Sequence, residues 1–163
     1  MNDCCTPPSR NAPTSGCPTC GTPGKAVKVI TLKALLVPQA LATLAPRESC
    51  RFCPEAGCEV VYFGNSGVYR QADVKVPVYQ KDPGPAVPVC YCFGHPRAEL
   101  TRALETGGGP LLERSIREHI AAGRCGCEVN NPQGSCCLGN VVTALRPGNR
   151  PIRSLEEAVG GHP

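Results

Sequence analysis

The sequence predicts an α+β chain of two small modules: an N-terminal, cysteine-stapled β module, then a helical module. Three observations carry this. The apolar repeat changes from about two residues to about 3.6 on crossing KDPGPAVP, residues 81–88. That stretch is too proline-rich for the interior of an element, so it reads as a boundary. Finally, 163 residues carry three Phe, four Tyr and no Trp against 18 Gly and 18 Pro, too little bulky apolar matter for one large core.

The elements follow in order. Residues 1–16 are polar and rich in Pro, Ser and Asn, the composition of a disordered tail. From Val27, a short alternating strand gives way to a helical repeat with Thr31 as its N-cap and Leu32, Leu35 and Leu36 on one face. Pro38 interrupts it, and QALATLA adds a helical turn. CEVVYF, the turn GNSG and VYRQADVKVPVY then read as a hairpin with a third short strand. The β module thus spans 17–82, a linker 83–87, the helical module 88–147 and a tail 148–163. Within the helical module one helix spans 96–104 and stops at three glycines. A second spans 110–122, with Leu111, Leu112, Ser115, Ile116, His119 and Ile120 as its inner stripe. Residues 128–135 read as a loop, and a third helix carries Leu138, Val141, Val142 and Leu145.

Composition narrows the function classes. The net charge is +4 with the basic residues scattered, so no nucleic-acid footprint stands out. The most apolar run, 27–37, is broken by Lys28 and Lys33, so no membrane span is expected. No GxSxG, HExxH or phosphate-binding loop occurs, and the chain is not expected to be an enzyme. His95 reads as a helix-entry residue beside Pro96, and His119 as a packed histidine.

The thirteen cysteines are then the chemistry of the chain. Residues 1–20 lack the apolar stretch of a secretory leader, so a reducing cytoplasm is expected, where closely spaced thiols are metal ligands more often than disulfides. Cys17-Pro-Thr-Cys20 and the loop from Cys53 to Cys58 each present two thiolates, and four thiolates suit a closed tetrahedral zinc site. Cys50 also forms a CxxC with Cys53. Cys53 and Cys58 are preferred because the chain after Cys58 runs directly into a strand, which leaves Cys50 spare. The helical module offers Cys90-Tyr-Cys92, Cys125-Gly-Cys127 and Cys136-Cys137, enough for the four thiolates of a [2Fe-2S] cluster. Spacing alone does not choose between Cys136 and Cys137.

These blocks carry a resemblance. VCYCFGHPRAEL, followed by two helices and a further cysteine group, resembles the [2Fe-2S] domain of the bacterioferritin-associated ferredoxin type. FCPEAGCEVVYF, then PVCYC, then CEVNNPQGSCC, taken together and in this order, resemble the zinc- and [2Fe-2S]-containing N-terminal domain of archaeal-type CopZ copper chaperones. The resemblance implies Cys17, Cys20, Cys53 and Cys58 as zinc ligands. It implies Cys90, Cys92, Cys127 and Cys137 as cluster ligands, with Cys136 the alternative to Cys137. It further implies one-electron transfer linked to copper or another soft metal, with reduction of Cu(II) to Cu(I). A redox partner protein would be needed, and no MxCxxC motif occurs by Pro163, so a copper-carrying domain or transporter is expected on a separate chain. Two other readings stand beside it: a Cu(I) metallochaperone using the spare thiols Cys4, Cys5, Cys125 and Cys136, and a non-redox interaction module stapled by both metals.

Overall fold

The structure is a computed structural model that describes residues 15–148 except residues 46 and 66. Cys4, Cys5 and the tail beyond Gly148 lie outside the described residues.

The first half is built on an antiparallel sheet of four short strands in sequential order: β1 (Lys25–Val27), β2 (Cys50–Phe52), β3 (Val60–Phe63) and β4 (Val68–Arg70). β1 and β2 are joined through α1 (Val29–Leu35) and α2 (Pro38–Leu41). The β3–β4 hairpin is closed by the Gly64 N–H donating to the Gly67 carbonyl at 3.0 Å. β3 is buried along its whole length because two cores claim it. Val61 and Tyr62 join Leu32, Leu36 and Phe52 in one, Val60 and Phe63 join three cysteines in the other, and the register shifts between Val60 and Tyr62.

Two local expectations are corrected here. Lys28, not Thr31, is the N-cap of α1, and Thr31 lies fully buried inside the helix. The third strand does not form either. After β4 the chain makes one 3-10 turn (Gln71–Asp73), and Val74 then bridges Leu36 at the exit of α1. Pro77 has no N–H to continue a ladder, whereas the Leu35 carbonyl accepts from Lys75 at 2.8 Å and the Asp73 carbonyl from Val37 at 2.9 Å.

The second half begins with a two-stranded hairpin that the sequence reading lacks, β5 (Pro88–Cys90) with β6 (His95–Pro96), which pairs Cys90 with His95. It leads into α3 (Arg97–Glu105), α4 (Gly109–Ala121), a short α5 (Cys127–Asn130) and α6 (Leu138–Ala144). Val89, Leu100, Ile116, Val141 and Leu145 form the core between them, with Cys90 and Cys137 inside it. The stripe of α4 differs from expectation. Ile116 is buried and packs with Leu112 and Ile120 at helical spacing, whereas Leu111 is 68% exposed and Ser115 also faces solvent.

The two halves are in direct contact. The Tyr62 hydroxyl, fully buried, donates to the Pro132 carbonyl at 2.7 Å, and the Gln80 amide donates to Gln133 at 2.7 Å. Gly134, with φ of 66°, sits against the end of β1 and the start of α1, where a Cβ would lie 3.0 Å from Val27 and 3.1 Å from Thr31. The connecting segment is held from both sides. Tyr91 donates to the Pro77 carbonyl, and Arg97 donates to the carbonyls of Tyr79 and Asp82 while covering the Tyr79 ring at 4.3 Å.

Candidate metal centres

Cys17 and Cys20 sit in a tight turn ahead of β1. The Gly21 N–H donates back to the Cys17 carbonyl at 2.8 Å, the Cys17 N–H donates to Thr22 at 2.9 Å, and Gly21 takes a φ of 75° that glycine adopts without strain. Cys53 and Cys58 flank a turn between β2 and β3, where the Cys58 N–H reaches the Glu55 carbonyl at 3.2 Å. The sheet therefore brings two remote turns to one edge.

There the sulfurs of Cys17, Cys20, Cys53 and Cys58 all lie within 4.8 Å of one another. Cys17 is 3.8 Å from Cys58, and Cys20 is 3.6 Å from Cys53. A tetrahedron of sulfurs about 2.3 Å from a zinc ion has edges of about 3.8 Å, so the donor set fits that ion in both chemistry and size. Cys17, Cys53 and Cys58 are buried while Cys20 is exposed. Burial pushes the Cys53 thiol up to about 12 and raises Cys58 as well, whereas hydrogen bonding from Thr22 lowers Cys20 to about 6. The thiols that burial opposes ionising are those a cation among them would stabilise as thiolates.

Lys81 is part of this site and escaped the sequence reading. Its side chain is buried, and its ammonium donates to the carbonyls of Glu55 at 2.8 Å and Cys58 at 2.9 Å, bracing the turn that carries two of the sulfurs. Nothing in its proline-rich surroundings signals this.

The second group forms at the meeting of β5, α5 and α6. Cys90 ends β5, Cys92 lies in the turn to β6, Cys127 opens α5, and Cys137 caps α6. The sulfurs come as two pairs. Cys92 is 3.6 Å from Cys127, and Cys90 and Cys137 lie buried together in the second core. The Cys137 thiol and the Phe93 amide lower Cys90 to about 6, while Cys90 and burial push Cys137 up. Burial, followed by the bond from Cys92, raises Cys127 to about 12. Donors converge on Cys92: the Gly126 N–H at 3.3 Å and the Asn130 side-chain amide at 3.7 Å. The sequence does not reveal the Asn130 donor, because residues 128–135 read as loop while α5 occupies the start of that stretch. Among the described residues these four sulfurs do not make a compact single-ion group as the first four do.

The remaining cysteines fall elsewhere. Cys50 is buried in the core beside Leu32 and Phe52, away from Cys53, and burial followed by the charge of Glu48 pushes it up to about 11. Cys125 is half-buried and Cys136 exposed. His95 hydrogen-bonds Glu99 at 3.0 Å, and His119 packs on Phe93 with ring centres 4.9 Å apart.

The fold and the four-sulfur group define a cysteine-rich metal-handling protein with a zinc-type thiolate site. A family model described as a zinc binding domain, of CopZ type, matches residues 14–75. The copper chaperone CopZ of Archaeoglobus fulgidus is 32% identical over 121 residues, which are 74% of this chain and 57% of that protein. The X-ray structure of the N-terminal domain of Archaeoglobus fulgidus CopZ superposes with a TM-score of 0.68 at 30% identity, covering 81% of this chain and 98% of that one. This chain belongs to the CopZ N-terminal domain family and carries its zinc-binding domain. It spans 57% of the length of the curated relative. Among the described residues, no helix is long and apolar enough to cross a membrane.

Proposed function

We propose that this chain is a zinc and iron–sulfur protein of the cytoplasm that moves single electrons in the service of copper or other soft-metal handling. The observation that carries the reading is the gathering of eight cysteines into two groups of unlike geometry, one compact and one made of two pairs. Cys17, Cys20, Cys53 and Cys58 are assigned to zinc, whose closed thiolate shell holds the thin first core together and leaves no open position for catalysis. Cys90, Cys92, Cys127 and Cys137 are assigned to a [2Fe-2S] cluster, with Cys137 preferred to Cys136 because its thiol meets Cys90 inside the core while Cys136 is exposed.

When bound, such a cluster supplies a one-electron couple at a potential set by hydrogen bonds and exposure. This chain's own residues meet both requirements. Gly126 and Asn130 aim N–H groups at Cys92, and the Phe93 and Cys92 amides act on Cys90. Cys90 and Cys137 are buried, whereas Cys92 and Cys127 are half-exposed, which sets one side of the site toward a redox partner protein. A copper-carrying domain or transporter on another chain would complete the route.

A second reading, a Cu(I) metallochaperone, is favoured by the Archaeoglobus relative, which is named a copper chaperone. Anaerobic purification with metal analysis tests the first: about two irons and two acid-labile sulfides with one zinc per chain are expected. Cys92→Ser should abolish the visible absorption and leave zinc in place. Colourless, iron-free protein isolated without oxygen would end the cluster assignment.

A further inference from the structure

The four sulfurs of the second group differ in their surroundings as well as in their pairing. Cys90 and Cys137 are each 1% exposed, inside the core with Val89, Leu100 and Val141. Cys92 and Cys127 are half-buried and 3.6 Å apart, close to the edge of about 3.8 Å that two thiolates span on one tetrahedral ion. They come from segments 35 positions apart, so the fold and not the short spacing of Cys90 and Cys92 makes this pair. Cys127 also lines an open cavity of about 510 Å³, so water reaches its side of the group. The Glu128 carboxylate at that cavity is paired with Lys28. Donors are shared between the two sides. Cys92 accepts from the Gly126 N–H at 3.3 Å and the Asn130 side-chain amide at 3.7 Å, and the Cys137 amide acts on Cys127. On the buried side, the Phe93 and Cys92 amides act on Cys90. Asn130 supplies the side-chain amide among these donors; the rest are backbone, fixed by the course of the chain.

We infer that Cys92 and Cys127 bind the same iron, that this outer iron is the one that takes the electron, and that the Asn130 amide favours its reduced state. The assignment rests on the cluster reading above and says which end of that site is redox-active. Four thiolates and two sulfides leave the oxidised centre anionic, and reduction adds one more negative charge. Between Cys90 and Cys137 that charge would lie in an apolar core, where it costs most. Beside Cys92 and Cys127, water and N–H groups both screen it. The amides at Cys90 offset part of the burial there, whereas Cys92 has donors and solvent together. A hydrogen bond to a sulfur strengthens as that sulfur gains charge, so donors on Cys92 stabilise the reduced state more than the oxidised one. The electron comes from the redox partner protein, one ferric ion becomes ferrous, and no bond or proton is exchanged.

The test uses the full chain, purified without oxygen, with zinc, iron and sulfide counted first and dithionite as the reductant. In the reduced wild type, proton NMR over a range of temperatures separates cysteine methylene signals of the ferrous ion from those of the ferric ion. Cys92 and Cys127 are expected on the ferrous ion. Cys90 and Cys137, assigned by their proximity to Val89 and Val141, are expected on the ferric one. In a redox titration read at the visible bands, Asn130→Ala should lower the midpoint by the equivalent of a tenfold loss in the reduction equilibrium constant, about 59 mV for one electron. Asn130→Asp replaces the donor by a charge and should lower it further. Val129→Ala, on the same short helix and 40% exposed, should leave it unchanged. Zinc content reports folding of each variant, and if the Asn130 variants lose iron the wild-type spectrum decides alone. Ferrous-type signals on Cys90 and Cys137, Cys92 and Cys127 on different ions, a midpoint unmoved by both Asn130 variants, or an equal shift in Val129→Ala would each overturn the assignment. Colourless wild-type protein would end the cluster reading and this assignment with it; visible bands with the electron on the buried side would end this one and keep that.

Discussion

At the scale of single residues, the side chain with the most leverage is a lysine. Lys81 is 9% exposed, and its ammonium makes two hydrogen bonds to carbonyls of the turn between Cys53 and Cys58. Four thiolates around a dication leave a net negative charge, and Lys81 is the cation fixed beside it. Lys81→Met removes that charge and leaves two carbonyls without their donor, which should lower stability by about 2 kcal/mol. Urea unfolding of the zinc-loaded protein measures this, and zinc should also pass more readily to a competing chelator. An unchanged midpoint with unchanged zinc retention would show the ammonium to be dispensable. The grouping of Cys17, Cys20, Cys53 and Cys58 is legible in the sequence, because their short spacings present the sulfurs in pairs. Lys81 is not, because the carbonyls it reaches lie 23 and 26 residues away and follow no motif.

At the scale of elements, the choice between Cys50 and Cys53 comes down to strand geometry. Three positions apart along an extended chain, the two side chains leave opposite faces, so β2 sends Cys50 into the apolar core and delivers Cys53 to the sulfur cluster. Periodicity finds α3, α4 and α6 because their apolar spacing is their own property. It misses β5 and β6, whose strands of three and two residues begin or end on proline, and it places Leu111 inside because counting apolar residues does not say which face a neighbour covers. The loop between α5 and α6 depends on Gly134. Gly134→Ala forces a left-handed residue against Val27 and Thr31, at a cost of about 2 kcal/mol. The expected outcome is a lower midpoint in thermal unfolding, with faster amide exchange at Cys136 and Cys137. Wild-type exchange there would mean that the loop tolerates the methyl group.

At the scale of the whole molecule, the two cysteine groups are mechanically joined although their members do not mix. The buried Tyr62 hydroxyl, Gly134 against α1, and Gln80 with Gln133 fasten the segment preceding Cys136 onto the first half. Removing zinc from Cys17, Cys20, Cys53 and Cys58 with a chelator should therefore loosen the far side of the molecule too. Hydrogen exchange at residues 131–137 should accelerate along with that of β2 and β3. Exchange confined to the first half would show the two halves to be energetically independent. None of this contact is visible in the sequence, since pattern reading is local and Tyr62 and Pro132 are 70 positions apart.

All four sulfurs of the first site precede every sulfur of the second along the chain. During synthesis, the earlier site can close around its ion while the later thiols are still within the ribosome. The finished sheet then presents Tyr62 as a template for the last-made loop, so the order of translation itself keeps the two sets of cysteines from exchanging partners.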